Sequence, residues 1–158
     1  MRKERKHLRR LDRVCLPAGA CIFYVTCCVR GRSRPLANAA AVDVLVESWR
    51  AAPRLFEWAV GRYVVMPDHV HFFASPCADT AKALSILVGS WKSWTRKEMR
   101  SAVDPSFEWQ REFFDHLLRS TESYAQKWEY VRMNPVRAGL VASADEWPYQ
   151  GEVCILEW

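Results

Sequence analysis

No apolar run in this 158-residue chain could cross a membrane: the longest, Cys21 to Val29, is broken by Thr26 and falls far short of the ~20 residues a spanning helix requires. No apolar core follows closely on the basic N-terminus, so a signal peptide is not expected. The six cysteines include no CxxC pair and no zinc-knuckle spacing; Cys27 and Cys28 are adjacent and the others lie far apart. That pattern argues against a disulfide framework and is expected of reduced, partly buried thiols in a cytoplasmic protein. Internal repeats and low-complexity tracts are also missing. The chain is half apolar and 13% aromatic, which excludes disorder for most of it, and its length fits one domain with a core of its own.

The net charge of +5 is concentrated at the start. Residues 1–13 hold seven Lys or Arg side chains against Glu4 and Asp12, which leaves the other 145 residues neutral overall. The arm of residues 1–19 reads either as a segment that tracks phosphates or as a solvated tail.

Ala20 to Arg30 is apolar on both faces, as a central strand is. Asn38 to Ala51 carries Val42, Leu45, Val46 and Trp49 at helical spacing. Trp58–Met66 and His69–Ser75 are two apolar runs pinched at Pro67-Asp68, the pattern of a β-hairpin. A second helix starts near Asp79, a suitable N-cap, and runs to about Arg100 over a stripe of Leu84, Leu87, Val88, Trp91 and Trp94. Phe113–Leu118 gives a fourth strand, and Thr121 to about Met133 a third helix. The order β-α-β-β-α-β followed by a helix predicts an α+β, ferredoxin-like (split βαβ) fold: a four-stranded antiparallel sheet with helices on one face, plus a C-terminal helix and tail. The tail, residues 135–158, is rich in Trp and Pro and is expected to pack on the domain.

Chemistry enters at the hairpin. Side chains alternate along a strand, so His69 and His71 project from one face, where two imidazoles can share a metal ion. On the third helix, Tyr124, Trp128 and Val131 form the apolar stripe, whereas Tyr130 and Asn134, one turn apart, lie on a flank away from it. Tyr130 is therefore not explained by packing. Asn134 precedes Pro135 and either ends the helix or serves as a ligand. On the second helix, Lys92, Arg96 and Arg100 recur every fourth residue as a basic ridge, which is either a DNA-phosphate surface, joined by Arg32 and Arg34, or a solvated face. His116 is assigned no chemical role.

Three stretches, Met66-Pro-Asp-His-Val-His71, Trp109-Gln-Arg-Glu-Phe-Phe-Asp-His-Leu-Leu-Arg119 and Tyr130-Val-Arg-Met-Asn-Pro-Val-Arg-Ala-Gly-Leu-Val141, together resemble the REP-associated tyrosine transposases, relatives of the single-tyrosine HUH transposases. Thr26 with Gly31-Arg-Ser-Arg-Pro-Leu36, Trp91-Lys-Ser-Trp-Thr-Arg96 and Glu146-Trp-Pro-Tyr149 extend the likeness to nearly the whole chain from about residue 20. The family more often has Asn where Asp68 stands. The resemblance implies that residues 20–134 form an HUH transposase-like domain including the tyrosine helix, with the metal pair at His69 and His71 and the nucleophile at Tyr130. It also implies a third metal ligand at Asn134, although more distant relatives carry the longer Gln there. It further implies single-stranded DNA hairpins as partners, a monomer or homodimer, and strand nicking and joining through a 5′-phosphotyrosine. A site of nitrogen and oxygen ligands suits a divalent metal, Mg²⁺ or Mn²⁺, and could also take Zn²⁺. Two other readings stand beside this one: a catalytically silent, domesticated hairpin-binding protein, and an HxH metallohydrolase acting on small molecules.

Overall fold

The computed structural model describes residues 12–17, 19–31 and 33–158, so most of the expected basic arm lies outside the described residues. The strands are β1 (Asp12–Cys15), β2 (Ile22–Cys28), β3 (Trp58–Val65), β4 (His69–Pro76), β5 (Phe114–Leu118), β6 (Gln150–Glu152) and β7 (Cys154–Glu157). The helices are α1 (Ala39–Phe56), α2 (Leu84–Ala102), α3 (Thr121–Arg132) and the short α4 (Asn134–Arg137). None of the helices is long and apolar enough to cross a membrane, among the described residues.

The main sheet is antiparallel, in the order β5-β2-β4-β3-β6. The expected four-stranded sheet is thus corrected to five strands, the fifth coming from the tail. An open β3 edge would leave a row of backbone groups unpaired. The tail supplies partners: Trp147 Nε1 donates to Val65 O at 3.0 Å and Val65 N to Tyr149 O at 2.8 Å. β6 then pairs with residues 62–64 of β3, and β7 turns away to pair in parallel with β1.

Register sorts the side chains onto two faces. Val25, Tyr63 and Phe72 are cross-strand neighbours on one face, and Tyr24, Thr26, Val64, His71 and Phe73 belong to the other. α1 and α2 cover the first. The Trp49 ring sits 5.0 Å from Tyr63 and 5.3 Å from Phe72, and it stacks on Trp91 of α2 at 6.0 Å. α3 crosses the second face, with Tyr124 at 4.9 Å and Trp128 at 6.2 Å from Phe73.

Helix ends depart from the sequence expectation in two places. α1 runs past Ala51 and through Pro53, stopping only where Glu57 adopts a left-handed conformation and donates its N–H to Pro53 O. α2 begins at Leu84 rather than near Asp79, because Ala81 N–H bonds to Ala78 O in a turn and the Trp58 indole holds Lys82 O at 2.9 Å. Its buried face is Leu87, Val88, Trp91, Thr95 and Met99, with Trp94 only half-buried.

Seating α3 depends on one glycine. A Cβ on Gly61 would lie 2.7 Å from the Tyr124 hydroxyl and 3.0 Å from Leu156, so only glycine lets Tyr124 reach the sheet. There the hydroxyl accepts the N–H of Arg62. Ser120 caps the helix by accepting from Ser123 N at 3.0 Å.

Candidate active site

The Pro67-Asp68 turn closes with Met66 N–H on His69 O at 2.8 Å, which starts β4 with His69 facing the α3 side of the sheet. Two residues on, His71 faces the same way; the ring centroids are 4.7 Å apart and nearly perpendicular. The paired imidazoles expected from the sequence are therefore formed by strand alternation alone.

Each imidazole has its Nδ1 engaged. His69 Nδ1 lies 2.7 Å from the carboxylate of Asp68, which accepts its proton. His71 Nδ1 lies 2.7 Å from Tyr24 Oη and 2.9 Å from Thr26 Oγ1. These contacts occupy the Nδ1 side of both rings and turn the Nε2 atoms away from them, the usual orientation of metal-binding histidines by outer hydrogen bonds. His71 is buried, and burial above all, then the nearby His69, Lys127 and Arg137, pushes its pKa down to about 3. It is neutral at any ordinary pH, as a metal ligand must be. Two such imidazoles are donors of the kind a divalent cation accepts. Among the described residues, no group of three or more His, Cys, Asp or Glu side chains is placed to hold a metal.

Tyr130 is 60% exposed, on the outer flank of α3 as its angular position predicts. The Arg137 guanidinium carbon lies 4.1 Å from its ring centroid, and the Lys127 ammonium 5.3 Å. The same ammonium sits 4.5 Å from the centroid of Tyr24, whose hydroxyl touches His71. Tyr130 and the histidine pair are thus linked through Lys127 and Tyr24 on one side of the sheet. Tyr24 differs from Tyr130 in that burial raises its pKa and its oxygen is engaged by His71.

Asn134 does not end the helical run, and its oxygen is engaged by Arg137. The backbone stays helical through Met133 (φ −82°, ψ −5°), so Asn134 opens α4 rather than ending the helix. Its Oδ1 accepts from Arg137, which also donates to Tyr130 O at 2.7 Å. The basic ridge on α2 forms, and its charges have partners on the neighbouring segment. Lys92 Nζ bonds the carbonyls of Gln110, Arg111 and Glu112; Arg96 and Arg100 reach Glu108, and Arg100 Nε also holds Phe107 O. Arg34 is exposed, Arg32 lies outside the described residues, and His116 is exposed on the edge strand β5.

The sequence alone assigned no role at the site to Tyr24, Lys127 or Arg137, and read Asp68 as a turn residue and Thr26 only as part of the resemblance. Two signals were there to be read: Tyr24 and Thr26 alternate on a strand beside the histidines, and Lys127 stands one turn before Tyr130.

No protein-family model matches the chain. It is 28% identical over 91 residues, 57% of its own length, to the REP-associated tyrosine transposase of Escherichia coli K12. It is 32% identical over 94 residues, 54% of its length, to a Haemophilus influenzae Rd protein provisionally named for the same group. The chain spans about half the length of these curated relatives, 52% and 53%. Its fold matches that of a REP-associated tyrosine transposase solved bound to a REP hairpin, with a TM-score of 0.67 and 21% identity over 95% of this chain and 82% of that one. In sequence and in fold, this chain is similar to the REP-associated tyrosine transposases.

Proposed function

We propose that the protein nicks and rejoins single-stranded DNA beside a hairpin, with Tyr130 as the attacking group. The observation that carries this reading is the placement of an exposed phenol on the helix that crosses the histidine face, linked to His71 through Lys127 and Tyr24. A hairpin-binding protein without catalysis needs neither two oriented imidazoles nor a tyrosine held out of the core.

In the first step the Tyr130 oxygen bonds to the scissile phosphorus as the bond to the 3′-oxygen breaks. The phenolic proton passes to solvent and the departing 3′-oxygen takes one up, leaving a 5′-phosphotyrosine and a free 3′-hydroxyl. The reverse attack joins strands without an external energy source. An unperturbed phenol is ionised in only about one molecule in a thousand at pH 7, so the site must favour the phenolate. A divalent cation at His69 and His71, Mg²⁺ or Mn²⁺ in a cell, would supply Lewis-acid stabilisation of the phosphate oxygens. Asp68, Tyr24 and Thr26 orient the two rings, and Arg137 holds the Tyr130 ring and the first turn of α4 together. DNA hairpins are the proposed substrate class, since a transposase of the same fold was solved with one.

The test is a denaturing gel of labelled hairpin oligonucleotides incubated with protein and Mg²⁺ or Mn²⁺. A covalent protein–DNA band is expected from the wild type and none from Tyr130→Phe. A band of equal strength in that variant would remove Tyr130 from the reaction, and no band from the wild type with any hairpin would favour the silent binder.

A further inference from the structure

Among the described residues, the half-buried cations other than Lys127 have an anionic or carbonyl partner, as do some of the exposed ones. Arg62 pairs with Glu152, Arg132 with Glu129 and Asp145, Arg96 and Arg100 with Glu108, and Lys92 holds three carbonyls. Lys127 differs. It is half-buried, and among the described residues its ammonium has no carboxylate and no carbonyl, only the ring faces of Tyr24 at 4.5 Å and Tyr130 at 5.3 Å. Partly desolvating an ammonium without an anion is unfavourable, and two ring faces offset only part of that. Among the described residues, nothing supplies this ammonium with a negative charge.

The place of that ammonium specifies the charge. Lys127 stands one helical turn before Tyr130, so both project from the same side of α3. On its other side is Tyr24, bonded to His71. An anion reaching Lys127 therefore lies between the attacking phenol and the imidazole pair. Arg137 is the second cation of this region, but its guanidinium is tied to Tyr130 O and Asn134 Oδ1, which suits it to positioning the ring.

Resting on the reading of Tyr130 as nucleophile, we propose that Lys127 is a further catalytic residue, its ammonium contacting a non-bridging oxygen of the scissile phosphate. As Tyr130 Oη bonds to phosphorus and the 3′-oxygen departs, charge builds on the non-bridging oxygens, and Lys127 stabilises it while keeping all its protons. The phenolic proton goes to solvent, and the departing oxygen is protonated from solvent. A fixed cation where transition-state charge develops acts on rate more than on ground-state binding.

The alternative is that Lys127 only packs on two rings. Lys127→Met keeps the aliphatic stem and removes the charge, whereas Lys127→Arg keeps the charge. The experiment measures single-turnover adduct formation at saturating hairpin, hairpin affinity by titration, and thermal stability for the wild type and both variants. Lys127→Met is expected to slow adduct formation on the order of 100-fold, with affinity changed by no more than about threefold, and Lys127→Arg to recover most of the rate. An unchanged rate in Lys127→Met overturns the proposal while the wild-type adduct leaves the Tyr130 reading standing. A deficit that saturating hairpin abolishes overturns it too, assigning Lys127 to binding. Absence of any wild-type adduct overturns both.

Discussion

The two faces of the sheet are built by the same strands and end up with opposite characters. Under α1 and α2, helices of 18 and 19 residues, Val25, Phe72, Trp49 and Trp91 are buried to 2% exposure or less. Under α3, only 12 residues long, the buried contacts gather around Phe73 and Tyr124, and the rest of the face carries Tyr24, Thr26, His69 and His71. Beside the short helix Thr26 and His69 stay half-exposed, while Tyr24 and His71 are buried. The long pair makes the sheet rigid enough to hold two imidazoles in fixed orientation. Packing on one face thus preorganises chemistry on the other.

The largest expected effect strikes the polar face alone. His69→Ala removes one nitrogen donor from a half-exposed position and leaves the apolar face intact. Nicking is expected to vanish, with hairpin affinity and melting temperature close to wild type, and titration calorimetry with Mn²⁺ should show the binding isotherm lost. Full cleavage by this variant in the presence of chelator would disconnect the histidine pair from catalysis.

A smaller effect tests the seam between the faces. Gly61→Ala drives a methyl toward the Tyr124 hydroxyl and Leu156, so α3 must lift or the hydroxyl must leave Arg62 N. Overpacking of this kind costs about 2 kcal/mol, to be read by urea denaturation. Adduct formation should fall as well, because Lys127 and Tyr130 ride on the displaced helix. Normal stability with normal activity would show that α3 is not seated through Tyr124.

The apolar face and the histidine pair were legible in the sequence because both follow from short-range periodicity: helical spacing at Leu45 and Trp49, strand alternation at His69 and His71, an off-stripe angle at Tyr130. What escaped was set by distant partners. The fifth strand exists because Trp147 and Tyr149 find Val65, a pairing across some eighty residues that no local pattern announces. The late start of α2 depends on the Trp58 indole reaching Lys82. The contact of Arg137 with the Asn134 oxygen is likewise not announced by the local pattern. The α2 ridge shows the same limit, since spacing reveals that three cations share a helix side but not that a loop of carbonyls and Glu108 faces them.

That ridge yields the smallest effect and sharpens the contrast between cations that hold the fold and cations that await a ligand. Lys92 draws three consecutive carbonyls of the segment leading into β5 onto α2, with its ammonium 2.8–3.3 Å from each. Lys92→Met leaves those carbonyls to water, at a cost of about 1 kcal/mol, so the melting temperature should drop by a few degrees. Each phosphate contact of a cation steepens the salt dependence of DNA binding by about one unit of slope. Because Lys92 is already held by the chain, the salt slope of hairpin binding should stay at its wild-type value in this variant. A slope shallower by about one, with stability unchanged, would reverse the assignment and place the α2 ridge on the DNA.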